Sequence, residues 1–392
     1  MHGTAWSMPD APLLAPLPPG VHHTGVVVVG LGGSGLSAIL RLVERGRTDV
    51  IGIDAHGVAA GAAGRNGGFL LAGAAPFHHQ ARAAWGADPA RAIYRLTEQA
   101  IVRLARRHPG VVHPVGSLRL AADEQECSDL DAHEAALRED GFAVERLDRG
   151  RLHIPGDAVM DPARRVVALA QEALQAGVRL HVARARQLGA GHVETERSEI
   201  HADHVLVCVD GALPCLLPKA LHPAGLRTVR LQMAATAPEQ RRVAKHAVYH
   251  RYGLDYWQQR PDGRVFVGGC RDLGEPAEHE VPPNPPPATL PTDAVQRGIE
   301  RLLRDVIGTR APVTSRWAGL VSYTDDQLPV VIERAGISWI GGYAGTGNVL
   351  GCLLGEALAD QLARPGATTP DVLSALEVAR DALTAARRPS AG

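Results

Sequence analysis

An apolar strand, a glycine turn and a helix open this chain, and together they leave few folds available. Residues 26–29 are four consecutive valines, Gly30-Leu31-Gly32-Gly33-Ser34-Gly35 follows, and residues 36–43 carry apolar groups at helical spacing. An unbroken β-branched run reads as a parallel strand buried on both faces. Gly30 permits the tight turn, Gly32 lets a ligand approach the backbone, and Gly35 lets the helix lie close to the strand. Gly33 and Ser34 complete the first turn, whose free N–H groups and positive dipole end favour a phosphate. A second strand, 50–54, ends in Asp54 with Ala55 behind it, the spacing at which an acid bonds a ribose hydroxyl. The order strand, turn, helix, strand, acid predicts a dinucleotide site.

At 392 residues the chain has room for two domains or one interleaved unit. Hydrophobic content of 45% and charged content of 21% are globular values, and a net charge of −1 offers no footprint for nucleic acid or an anionic membrane. The five cysteines (127, 208, 215, 270, 352) are scattered and never form a CxxC pair. That argues for a reducing compartment and against a disulfide framework or a zinc site. His78-His79 are adjacent on the chain without a third ligand at suitable spacing, so no metal is expected. Residues 1–22 are proline-rich, lack the basic-then-apolar order of a signal peptide, and read as a disordered tail. No apolar run reaches membrane-span length, so a cytoplasmic protein without a protein partner is expected.

Further along, helices are expected at 91–108, 130–139, 293–307 and 348–363, and one at 162–175 with Asp161 as its cap and Pro162 in its first position. Strand texture returns at 178–182 and 205–209. Alternating runs at 228–235, 247–258 and 264–268 then suggest an antiparallel sheet. Residues 281–287 read as a polyproline loop. Composition places breaks near 80, 151, 225 and 317.

A second strand-to-helix glycine turn lies at the far end: Gly341-Gly342-Tyr343-Ala344-Gly345-Thr346-Gly347-Asn348. One pyrophosphate needs one cradle, so a second helix N-terminus implies a second acceptor. A flavin offers one, because reduction places negative charge on its N1–C2=O edge.

Four blocks together resemble the FAD-dependent amine and amino-acid oxidases: sarcosine oxidase, glycine oxidase, D-amino acid oxidase and γ-glutamylputrescine oxidase. They are the opening fingerprint with Asp54; the loop Gly61-Ala62-Ala63-Gly64-Arg65-Asn66-Gly67-Gly68; Arg316-Trp317-Ala318-Gly319 with Thr324-Asp325-Asp326-Gln327-Leu328-Pro329; and Gly342 to Gly347. The Arg65-Asn66 loop looks most like the γ-glutamylputrescine oxidase branch. The resemblance implies an α/β fold: a Rossmann-like FAD-binding domain (23–80, 152–225, 318–386) and a smaller α+β substrate domain (81–151, 226–317) on a mostly antiparallel sheet. Gly64, Arg65, Asn66, Gly67, Gly345, Thr346, Gly347 and Asn348 would join the opening fingerprint around FAD.

The implied reaction is oxidation of the C–N bond of an amine or N-substituted amino acid. Hydride passes to flavin N5, the imine hydrolyses, and O2 or another acceptor takes the electrons. Such chemistry asks for alignment and exclusion of water rather than a catalytic triad. Tyr256 falls where relatives line the substrate cavity; His250, Tyr323 and Arg316 are further candidates. Sarcosine oxidase relatives attach flavin through a cysteine, and glycine oxidase holds the substrate carboxylate with an arginine, at a position that here looks like Val321. Non-covalent FAD follows, and a simple α-amino acid requires another arginine: Arg316, Arg251 or Arg271. Neither Lys219 nor Lys245 lies in the strand that would carry the O2-activating lysine of sarcosine oxidase. Two other readings stand beside this one: an NAD-dependent dehydrogenase, for which the first βαβ unit suffices, and a non-catalytic FAD-binding scaffold.

Overall fold

A computed structural model describes residues 4–7, 13–282 and 289–386. Val26 and Val28 feed one apolar cluster and Val27 and Val29 another, so the second half of the opening strand, Gly20–Val29, is buried on both faces by the simple alternation of its side chains. It pairs in parallel with Val50–Asp54 on one side and Ser198–Val207 on the other. Arg179–Val182 extends the sheet beyond the former, and Ile337–Gly341 pairs in parallel with the end of the latter. An antiparallel hairpin, Gln187–Gly189 and His192–Glu194, closes the outer edge. Helices Gly33–Glu44, Pro162–Gln175 and Cys352–Ala363 cover one face. Asp161 caps the second, its carboxylate accepting the Arg164 N–H at 3.1 Å, with Pro162 in the first turn.

A second sheet also has eight strands. Its order is Val313–Tyr323, Arg227–Thr236, Val265–Gly268, Asp255–Gln259, Ala247–His250, Ser117–Leu120, Arg151–Ile154, Glu145–Asp148. All neighbours are antiparallel except Ala247–His250 with Ser117–Leu120. Among the described residues no helix is long and apolar enough to cross a membrane.

Several sequence expectations require correction. The stretch 1–22 is not a free tail where it is described: Trp6 is buried and stacks on Phe266 with ring centroids 4.0 Å apart, and Leu14 and Leu17 are buried. Apolar residues among the prolines give that segment something to dock with. The run 247–258 is two strands, because Arg251, Tyr252 and Gly253 all take positive φ and turn the chain. The boundaries at 151 and 317 cut through sheet: Arg151–Ile154 pairs with Ser117–Leu120, and Val313–Tyr323 pairs with Arg227–Thr236 along its length. The two units thus share a continuous core. Leu36, Ile93, Met233, Phe266, Trp317 and Leu358 belong to one cluster. The helix expected at 348–363 begins with a wide π-type turn, Gly347–Gly351, and that expected at 293–307 ends in one. Most of the polyproline loop expected at 281–287 lies outside the described residues, which omit 283–288.

Candidate active site

Gly30 sits at φ +101°, and a Cβ there would collide with the Cys208 carbonyl; a Cβ at Gly35 would overlap the Gly30 carbonyl oxygen. These two glycines are demanded by the chain's own backbone. Gly32 is different, since a Cβ there would meet only the Ala63 methyl, at 3.3 Å. Its bareness keeps the backbone approachable from outside. The helix starting at Gly33 has no side-chain cap and no acid in its first turn, so its N–H groups and positive end await an anionic group. Asp54 is held rigidly: one carboxylate oxygen accepts the Leu31 N–H at 3.0 Å, the other those of His56 and Gly57 at 2.9 and 3.0 Å. The oxygen bonded to Leu31 retains a lone pair for a hydroxyl. Ala55 follows in the turn those bonds stabilise. A dinucleotide's pyrophosphate and ribose fit this cradle.

The far glycine turn lies beside it. Tyr343, fully buried, donates from its hydroxyl to Ser34 Oγ at 2.8 Å, so the Ser34 side chain is engaged with protein. Cys352–Ala363 packs closely on Gly33–Glu44, and at Gly355 a Cβ would overlap the Ser34 carbonyl oxygen. The 61–68 loop bridges the two turns. Asn66 and Asn348 exchange amide hydrogen bonds at 3.2 and 3.0 Å, and Asn348 also donates to the Phe69 carbonyl at 2.9 Å. Arg65 is pinned by donation to the Ala60 and Ala318 carbonyls at 2.9 and 3.0 Å, and burial pulls its guanidinium below its ordinary pKa. Trp317 Nε1 donates to the Arg65 carbonyl at 2.8 Å, tying the loop to the second sheet. Gly64, behind it, has no room for a side chain against Ala59.

Asp210, at the end of the central Ser198–Val207 strand, abuts the same turn. Its carboxylate faces the Tyr343 N–H at 3.4 Å, and burial pushes its pKa up to about 7.

Between these loops and the second sheet lies a cleft. Arg65, Asn66, Gly67, Gly345, Thr346 and Asn348 form its floor; Gly347 is turned onto the Tyr343 ring instead. Alternation on the sheet decides which side chains face it. Gly319, Val321 and Tyr323 point in, as do Tyr249, its cross-strand partner Tyr256, and Leu231 and Met233. Tyr256 covers Gly67 and Gly268, neither of which could carry a Cβ beneath its ring. Burial keeps the Tyr249 and Tyr256 phenols neutral. Arg271 reaches in beside Tyr323, donating to its hydroxyl at 2.9 Å with the guanidinium 5.0 Å from the ring centre. Among the described residues it has no carboxylate within 4 Å. Arg119 also lines the cleft, stacked on Tyr249 at 4.9 Å, but Asp157 lies 3.5 Å behind it. Deeper in, Phe77, Trp85, Ile93 and Tyr94 make an apolar lobe.

Two expected residues lie elsewhere. Arg316 has the opposite strand parity from Val321 and Tyr323, so it projects to the other face, where it donates to Gln296 at 2.8 Å and pairs with Glu300. His250, next to Tyr249, likewise points away: its Nδ1 bonds the Leu120 carbonyl at 2.9 Å and its ring meets Trp257. Tyr249 and Arg119 were missed. The signal was parity, since the Tyr249–Tyr256 pairing follows once Arg251-Tyr252-Gly253 is read as a hairpin turn.

The model of a family described as DAO, FAD dependent oxidoreductase, matches residues 25–361. A probable oxidoreductase OrdL of Rhizobium meliloti is 26% identical over 96% of this chain and 92% of its own. The γ-glutamylputrescine oxidoreductase of Escherichia coli is 24% identical over 86% and 83%. Among solved structures, L-proline dehydrogenase from P. horikoshii superposes with a TM-score of 0.72 at 17% identity over 89% of this chain and 96% of that one. Glycine oxidase from Geobacillus kaustophilus gives 0.70 at 19% over 89% and 97%. The two-turn architecture leaves the NAD-only reading without a role for residues 345–348, and the family match agrees: this chain belongs to the DAO family of FAD-dependent oxidoreductases.

Proposed function

We propose that the enzyme oxidises the C–N bond of an amine that also bears a carboxylate, an amino acid or an N-substituted one, with a bulky apolar arm. The observation that carries this reading is Arg271: a guanidinium on the cleft wall, hydrogen-bonded to Tyr323 and without an acidic partner among the described residues. An anion-binding fork is the use such a group has in a cleft. Its neighbour Arg119 is already balanced by Asp157, so the cleft calls for one substrate anion rather than two. FAD, held by the Gly30–Gly35 turn, Asp54 and the 64–67 and 345–348 loops, supplies the two-electron acceptor. Arg271 and Tyr323 would fix the carboxylate, Tyr249 and Tyr256 would wall the reacting carbon, and Phe77, Trp85, Ile93 and Tyr94 would take the arm. Pre-alignment of this kind is worth several kcal/mol of barrier.

In this reading FAD is held non-covalently, which the composition of the cleft wall supports. Val321 faces the cleft and, among the described residues, no cysteine lines it. Acid precipitation should leave all yellow colour in the supernatant. No lysine lines it either, so reoxidation by O2 is expected to be slow against an artificial acceptor.

The test is anaerobic stopped-flow bleaching of the bound flavin by a panel of amines matched in pairs, with and without a carboxylate, and with small or aryl substituents. Carboxylated, aryl-bearing members should reduce it fastest. Equal rates for the decarboxylated partners, or bleaching by none, would overturn the proposal.

A further inference from the structure

We propose that the outer edge of the nucleotide-fold sheet holds a divalent metal site built from His192, Glu199 and His201, suited to Zn2+. His192 and His201 are direct cross-strand partners in the antiparallel pair formed by His192–Glu194 and Ser198–Val207. Glu199 stands two residues before His201, and side chains two apart on a strand share a face. Register alone therefore gathers two imidazoles and a carboxylate. His192 Nε2 and His201 Nε2 lie 3.8 and 3.6 Å from the same Glu199 oxygen, and the ligand atoms of all three fall within 4.8 Å of one another. A tetrahedral ion with bonds of about 2.0–2.1 Å places its ligands roughly 3.3 Å apart. Small side-chain rotations close that difference without moving either strand.

The third strand supports the arrangement. His23 is the register partner of His201 on Gly20–Val29, and its ring stacks on His201 with centroids 5.3 Å apart and planes 20° from parallel. His23 packs beside the His201 ring and stays outside the ligand set. Two imidazoles and one carboxylate favour a borderline cation over the all-oxygen ions Mg2+ and Ca2+. Three protein ligands leave one position for water. All three residues are half-exposed or exposed, so an ion can enter from solvent. Seven residues of strand separate His201 from Cys208 at the nucleotide end, about 23 Å at strand rise. The ion would be a clasp joining hairpin to sheet, with no part in the redox step.

The experiment is isothermal titration of holoenzyme, free of added histidines and stripped with chelator, by Zn2+ and separately by Mg2+. Saturable 1:1 binding of Zn2+ at micromolar concentration or tighter is expected, with a raised melting temperature and no response to Mg2+. His201→Ala and Glu199→Gln should each weaken binding at least about tenfold, while His23→Ala should change it less than about threefold. Flavin content of each variant reports intact folding. No saturation by about 100 µM Zn2+, affinity unchanged in either ligand variant, or an equal loss in His23→Ala would each overturn the three-ligand site.

Discussion

Replacing Asp210 by Asn gives a prediction whose size and sign follow from its surroundings. The buried carboxyl has a pKa of about 7 in the folded chain against 3.8 for the ordinary group. Between those values the native protein keeps a proton that the unfolded chain has released. Stability from this group is therefore full below about pH 4, declines as pH rises to about 7, and is flat above that. Three pH units correspond to at most about 4 kcal/mol, and because Asp210 retains some solvent contact about 2 kcal/mol is the lower expectation. Asn keeps an accepting oxygen for the Tyr343 N–H and carries no charge. At pH 8 Asp210→Asn should melt about 2–5 °C higher than the parent, for a chain of this length, and at pH 4 the two should coincide. Differential scanning calorimetry from pH 4 to 8 reads this directly. A constant difference across the range, or a variant less stable at pH 8, would refute the argument that the carboxyl is held protonated.

Three further outcomes are expected. Arg271→Met should weaken substrate binding about 30–150-fold, the equivalent of a lost charge-assisted contact of about 2–3 kcal/mol, with flavin content unchanged; anaerobic flavin titration with substrate measures it. Asn348→Ala unpairs Asn66 and the Phe69 carbonyl, and should weaken FAD binding about tenfold when apoprotein is titrated by fluorescence quenching. Gly35→Ala should yield little folded, flavin-loaded protein, because the added methyl has no space against the Gly30 carbonyl; a normal holoprotein would sink the packing argument.

The nucleotide half was readable because each signal was local. Buried valines, a glycine turn and a proline-started helix each carry their own instruction, and Gly30, Asp54 and Asp161 all stand where those instructions place them. That the 345–348 turn joins the 30–35 turn was legible because two glycine turns needed one shared ligand, whereas the 61–68 loop was placed there only by the family resemblance. The cleft wall was harder. On a sheet strand the face a side chain takes depends on register, and register depends on turns such as 251–253, whose positive φ angles no apolar pattern announces. Arg316 and His250 therefore fell one residue out of phase, while Tyr249 next door went unnoticed. The docking of Trp6 on Phe266 is a contact between residues 260 positions apart, and local texture carries no trace of it.

The Asn66–Asn348 exchange spans 282 positions of chain. On the ribosome, the early loop must wait for nearly the whole polypeptide before its partner emerges. A message truncated before residue 348 would yield a product with its nucleotide fold begun and its coenzyme pocket lacking one wall. Uptake of the yellow coenzyme thus reports that synthesis has passed residue 348, and a nascent chain should acquire colour only once that turn has left the ribosome.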